Sequence, residues 1–137
     1  MNLKIMLDPG ARKPERAHAH DAGLDLFTPE NVRIFPHDYS VVDLGVHVAI
    51  PEGYVGLITS KSGLMSDGIT CRGTIDAGYT GSIRAVLYNQ NSYDVFLTAG
   101  QEVTQLVILP IALPEVEIVE CMERTERGSG GFGSTGK

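Results

Sequence analysis

An all-β domain, a sandwich or a barrel, is what this sequence predicts. Short runs rich in Val, Ile, Leu and Tyr recur, turn residues interrupt them about every ten positions, and no window sustains a helical period. No internal repeat is visible, and a chain of 137 residues builds a single core.

Residues 3–7 form a first strand, ended by Asp8-Pro9-Gly10. Residues 11–22 are polar, contain Pro14 and read as a loop. Residues 24–27 alternate until Pro29 closes them, and residues 32–35 run up to Pro36. Residues 40–50 are rich in Val and turn at Pro51-Glu52-Gly53 into a strand over 54–59. One helical turn fits around Leu64-Met65. Thr74 and Ile75 favour an extended chain, Ala77-Gly78 turns it back, and residues 83–88 return. A β-hairpin with Asp76 and Tyr79 at its mouth is therefore expected. Strands over 95–97, 103–109 and 116–119 complete the β domain, which spans residues 1–123. Residues 124–137 differ: five glycines surround Phe132, the one large apolar residue, so this tail builds no core and is expected to be flexible.

Composition narrows the function classes. Hydrophobic residues are 42% and charged residues 20% of the chain, as in ordinary globular proteins. The net charge of -6 repels a polyanion, so no nucleic-acid partner is expected; a small anionic substrate needs a locally basic pocket or a metal. Cys71 and Cys121 are too few for a disulfide framework and lack zinc spacing. Residues 1–10 carry no apolar core of signal-peptide length, and no apolar run is long enough for a membrane. A cytoplasmic protein with reduced thiols and no membrane partner is the expectation.

Several clusters could carry chemistry. Asp76 at a hairpin mouth is a candidate general base, although Asp beside Gly is common in plain surface turns. Ser60-Lys61-Ser62-Gly63 follows a strand and offers a cation, hydroxyls and a glycine, which suit phosphate oxygens or simply face water. Ser62 has no base beside it in the sequence that would make it a nucleophile. Asp25 lies inside an apolar strand and needs a partner, either Lys61 or a hydrated cation. Gln105 is a polar break in residues 103–107, facing either solvent or a pocket. His18-Ala19-His20-Asp21 reads as a solvated loop before it reads as a metal site.

The tail produces false matches. Gly131 to Gly136 fits G-x-G-x-x-G, but no strand precedes it and the chain ends one residue later. Gly131 to Lys137 fits G-x-x-x-x-G-K without the following Ser/Thr and helix, and Ser134 to Lys137 fits S-x-x-K without a surrounding fold. The tail alone reads as a terminal linker. It nevertheless holds the parts of a nucleotide lid: Arg127 for a phosphate, glycine N–H groups and an aromatic that can stack on a base.

In order along the chain, five stretches resemble the trimeric dUTPase family. They are Ala22-Gly23-Leu24-Asp25-Leu26, Lys61-Ser62-Gly63-Leu64, Gly73 to Gly81, Gly100 to Pro110, and Arg127 to Gly136. The resemblance implies a jelly-roll or distorted β-barrel fold, a homotrimer with sites shared between subunits, and hydrolysis of dUTP to dUMP and pyrophosphate. It implies that Asp76 activates the attacking water and that Tyr79 lies beneath the deoxyribose. Thr70 and Arg84 match positions where the hairpin backbone reads uracil, with Thr74 and Ile75 lining the same pocket. Lys61, Ser62, Gly63 and Gln105 match phosphate contacts. Phe132 matches an aromatic that closes over uracil, with Arg127, Ser134 and Thr135 at the γ-phosphate. Mg²⁺ is implied as the cofactor, held by substrate phosphates and water without direct protein ligands, Asp25 acting indirectly. Two alternatives share the fold: a dCTP deaminase-like enzyme and a nucleotide-dependent regulatory protein. The first lacks its extra glutamate here, because Asp76 is the sole acid between Gly73 and Asn89. The sequence departs from the family pattern at Lys61, where arginine is commoner, at Glu102, where a basic residue is usual, and in the short 65–72 segment with its unexplained Arg72.

Overall fold

The computed structural model describes residues 1–136, and among them the chain forms ten strands and one short helix. Lys137 lies outside the described residues; it ends the tail expected over 124–137 and the two lysine-bearing matches there. The elements are β1 Lys4–Leu7, β2 Gly23–Phe27, β3 Val32–Ile34, β4 Tyr39–Ala49, β5 Tyr54–Thr59, α1 Ser62–Ser66, β6 Ile69–Thr70, β7 Gly73–Ile75, β8 Ser82–Asn89, β9 Val95–Leu97 and β10 Glu102–Pro110. One sheet has the order β1-β4-β8-β6, a second β2-β10-β5-β7, and β3-β9 forms a two-stranded ribbon. Every pairing is antiparallel.

Alternation builds the core. In β8, Ile83, Ala85, Leu87 and Asn89 point inward while Arg84 and Tyr88 point out, the period of two that a strand imposes. Val42, Leu44, Val46 and Val48 of β4 join them, and Leu26, Ile58 and Leu106 face them from the second sheet. Each of the buried Val, Leu and Ile side chains contributes about 1.5–3 kcal/mol by leaving water. Asn89 is buried without penalty because its Nδ2 donates to the carbonyls of Ile34 at 3.1 Å and Tyr93 at 2.8 Å. That ties the β3 ribbon to β8.

Two expectations change. Residues 116–119 form no strand: Val116 is 91% and Ile118 94% exposed, alternating with Glu115 and Glu117. The pattern suits a strand, but among the described residues no strand pairs with it, and a strand without a partner leaves its backbone unpaired. The hairpin expected between Thr74-Ile75 and residues 83–88 is also not continuous, and its form defines the site. The helical turn near Leu64-Met65 is α1, and β6 is an additional short strand.

Candidate active site

The hairpin starts paired and then splits. At its base β6 pairs with β8, Thr70 opposite Tyr88. Beyond Arg72 the arm changes partner: β7 pairs with β5, Ile75 opposite Gly56, while β8 stays on β4 with Arg84 opposite Asp43. Gly56 makes this possible, since a Cβ there would stand 3.2 Å from the Ile75 Cβ and 2.9 Å from Leu106. The parted arms enclose a slot of about 270 Å³ lined by Thr74, Ile75, Asp76, Tyr79, Ser82, Ile83 and Arg84. Backbone groups that a closed hairpin would pair with each other face this slot instead.

Asp76 stands exposed at its mouth. The chain turns there, with the Tyr79 N–H donating to the Asp76 carbonyl at 3.1 Å and Gly78 at φ 92°, a type II arrangement that disfavours side chains. The Tyr79 hydroxyl donates to the Ser82 carbonyl at 2.9 Å, and its ring lies across Gly81, where a Cβ would be 2.5 Å from Oη. The ring is thereby fixed as a wall beside the carboxylate. From β4, Asp43 accepts from the Ser82 hydroxyl and from the Gly45 N–H at 3.0 Å. Those bonds, Ser82 first, hold the Asp43 carboxyl below the usual range. His47 meets the Thr80 carbonyl from the same strand. Nothing in the sequence marks Asp43 or His47, because the contacts join positions more than thirty residues apart.

A second cluster forms at the far end of β5. Buried Asp25 accepts from Lys61 Nζ at 2.5 Å, so Lys61 is the partner its burial requires. The bond raises the Lys61 pKa, with Glu102 and Asp21 adding to it through their charge. Glu102, at the start of β10, thus lies within the field of Lys61. Gln105 does not face solvent: its side chain crosses Gly23, where a Cβ would stand 2.1 Å from Oε1, and its Nε2 donates to the Ser60 carbonyl at 3.2 Å. The Ser60 hydroxyl donates to the Cys71 carbonyl at 3.0 Å and accepts from its N–H at 2.9 Å. Three sequence-distant stretches therefore meet at one loop, with Ser62 and Gly63 exposed beside it. His18 and Asp21 pair with each other nearby on an exposed loop, Nδ1 to Oδ2 2.9 Å, which lowers the Asp21 pKa.

Thr70 stands apart from the slot. It lines a larger cleft of about 680 Å³ with Ser60, Arg72 and Tyr88, four residues of β8 or about 13 Å from the level of Arg84. Arg72 is exposed between that cleft and a neighbouring one beside Gly73. The two principal clusters are also apart. Asp76 follows Ile75, which sits opposite Gly56, whereas Lys61 lies beyond Thr59, and this separation amounts to about 20 Å of strand. The tail touches neither through the hydrogen bonds of the described residues. Arg127 Nε donates to the Gly130 carbonyl at 2.8 Å, Ser134 N–H to Gly131 and Gly136 N–H to Gly133, all within the tail. Phe132 is fully exposed, and Ser134 and Thr135 are exposed with it.

Comparison with known proteins adds an independent line. The dUTPase family model matches residues 10–136. A deoxyuridine 5'-triphosphate nucleotidohydrolase of Yarrowia lipolytica is 41% identical, covering 99% of this chain and 90% of that protein. One from Clostridium tetani is 39% identical over 98% of this chain and 97% of its own length. Among solved structures, the Staphylococcus bacteriophage 80alpha dUTPase G164S mutant with dUpNHpp superposes with a TM-score of 0.93 at 35% identity, covering 99% of each chain. The two packed antiparallel sheets are those of a jelly roll.

Proposed function

The chain belongs to the dUTPase family and is a dUTP diphosphatase, and we propose that Asp76 is the base that activates water against the α-phosphorus of dUTP. One observation supports this above the others: the split hairpin leaves an exposed carboxylate at the mouth of a backbone-lined slot, next to a tyrosine ring whose position is fixed. In this proposal uracil enters between the arms, where backbone donors and acceptors from residues 74–75 and 83–84 meet its edge. A 5-methyl group would strike the narrow wall, and cytosine presents donor and acceptor exchanged. Tyr79 lies flat under the sugar and leaves no room for a 2′-hydroxyl. Asp76 then takes the proton of the attacking water, and pyrophosphate leaves. The known relative solved with dUpNHpp supports a nucleotide of this class. In the cell the reaction would keep dUTP low, so that little uracil enters DNA, and would provide dUMP.

Lys61, Ser62, Gly63 and Gln105 are assigned to the phosphates, and Arg127, Phe132, Ser134 and Thr135 to closing the site, with Thr70 at the base of the split. Lys61 brings a compact charge in place of a planar fork, already oriented by Asp25. The residues fit Mg²⁺ that arrives on the substrate: Asp25 is engaged by Lys61, and magnesium keeps waters and phosphate oxygens as ligands in sites of this kind. When bound, the ion neutralises charge on the phosphates; the chain's part is to orient them and hold the base.

The separation of Asp76 from Lys61, about 20 Å along β5, supports a site to which more than one chain contributes. In this proposal the enzyme is a homotrimer in which hairpin, phosphate loop and tail of one site come from different subunits. The exposed apolar arm, with Leu113, Val116 and Ile118 open to solvent, supports an assembly that covers it. Among the described residues no helix is long and apolar enough to cross a membrane. Pyrophosphate release with each dNTP plus Mg²⁺ tests the function: only dUTP should be turned over efficiently, and equal rates with dCTP or dTTP would defeat the proposal.

A further inference from the structure

The loop that carries Asp76 and Tyr79 is held from below by one stretch of β4. Between the pairs Asp43↔Arg84 and His47↔Ser82, β4 advances four residues while β8 advances two. This bulge turns two side chains toward the same loop. Asp43 takes the Ser82 hydroxyl, and His47 takes the residue two before it, with Nδ1 2.7 Å from the Thr80 carbonyl. The other ring nitrogen, Nε2, is 2.9 Å from Asp8 Oδ1, just past the end of β1.

Both partners of the ring are acceptors. A carbonyl oxygen and a carboxylate have no proton to give, so both ring nitrogens must donate for both contacts to be hydrogen bonds. A neutral imidazole has one N–H and would set a lone pair against one of the two oxygens. The bridge Asp8–His47–Thr80 is therefore complete only when His47 is an imidazolium. We propose that His47 is a positioning residue for the hydrolytic loop, acting as a protonated strap between Asp8 and Thr80 that sets Tyr79 and Asp76 for catalysis. The role rests on the assignment of Asp76 as the base.

The surroundings favour the cation. The Thr80 carbonyl does most to raise the His47 pKa, Asp8 adds a hydrogen bond and charge, and Asp43 adds charge from its own strand. Burial opposes them but is outweighed. Arg84, on β8, faces Asp43 and, like His47, acts on it through its charge. With a raised pKa, the strap is complete below the ordinary histidine value of about 6.5 and is lost as pH rises through the higher folded value.

The test combines two readouts. ¹⁵N NMR of the full-length protein follows the His47 ring and the Gly81 amide, which is bonded to the Thr80 carbonyl, from acid to alkaline pH. Two protonated ring nitrogens near pH 6, and a Gly81 shift with the same midpoint as the ring, are expected. A singly protonated ring at that pH, or a Gly81 amide that ignores the ring, overturns the strap. The ratio of kcat/KM between wild type and His47→Gln, which cancels titration of substrate and metal, should be roughly fivefold at pH 6 and close to one at pH 9. A ratio that is constant with pH would mean a merely structural role and overturn the positioning role. In Asp8→Asn the side-chain amide can donate to a neutral ring, so kcat/KM should lose its alkaline decline relative to wild type; an unchanged decline counts against the bridge. If wild type releases no pyrophosphate from dUTP, the assignment of Asp76 falls, and the NMR readout still judges the strap by itself.

Discussion

Gly81→Ala should separate stability from catalysis. The new Cβ would lie 2.5 Å from Tyr79 Oη, 2.6 Å from Cζ and 2.9 Å from Cε1, against ordinary contacts of 3.4 Å and more. The ring must therefore move by about 1 Å, and a misplacement of that size at a reacting centre costs on the order of 100-fold in rate. The fold can absorb the change. Gly81 is not among the positive-φ glycines, so alanine fits its backbone and gains about 0.4–1 kcal/mol by restricting the unfolded chain. Losing the Tyr79–Ser82 hydrogen bond costs about 1 kcal/mol, so the two terms nearly cancel. The prediction is an unchanged melting temperature, kcat/KM for dUTP lowered about 100-fold, and weaker discrimination against UTP because the wall beneath the sugar is displaced. Steady-state pyrophosphate release with dUTP and UTP, beside a thermal melt, reads all three. A folded variant within about threefold of wild type on dUTP, with discrimination intact, would refute the role given to the ring.

Asp76→Asn keeps the shape of the turn and removes the base; turnover should fall by several orders of magnitude while dUTP binding survives in calorimetry. Deleting residues 127–137 should leave a folded protein, since Phe132 and its neighbours contribute no core, yet hydrolysis should collapse; normal turnover by the truncated protein would make the tail a linker. Lys61→Met leaves Asp25 buried without its cation, and because Lys61 is partly solvated the loss in urea unfolding should be about 2 kcal/mol, below the 3–5 kcal/mol of a fully buried pair. Asp25→Asn with Lys61→Met should recover part of that loss, and additive losses would show that the pair is not coupled.

Much of the fold was legible because it depends on local pattern. The strands at 24–27 and 103–109 run up to Pro29 and Pro110, that at 54–59 starts after Pro51-Glu52-Gly53, and a buried carboxylate in the first of these demanded a cation that Lys61 provides. What failed depends on choices between distant partners. Thr74 and Ile75 are good strand residues wherever they pair; their choice of β5 over β8 turns on the space above Gly56, which lies on another strand well before the split. Residues 116–119 carry a strand pattern but pair with no strand among the described residues, so propensity alone misplaced them. Gln105 stayed ambiguous until Gly23 proved to be the surface it crosses. His47 and Asp43 were illegible for the same reason, since only the bulge in β4 aims them at the loop.

The central claim is that hairpin and tail meet only between subunits. Two inactive proteins test it: Asp76→Asn with an intact tail, and a protein with Asp76 but lacking residues 127–137. They are mixed under conditions that let subunits exchange, with exchange verified by mass spectrometry of tagged chains. In a closed ring, each subunit sends its tail to one neighbour, so equal mixing places a whole tail over an intact Asp76 in roughly a quarter of sites. About a quarter of wild-type activity should return, and only after exchange. Verified exchange with no recovered pyrophosphate release would contradict the shared site.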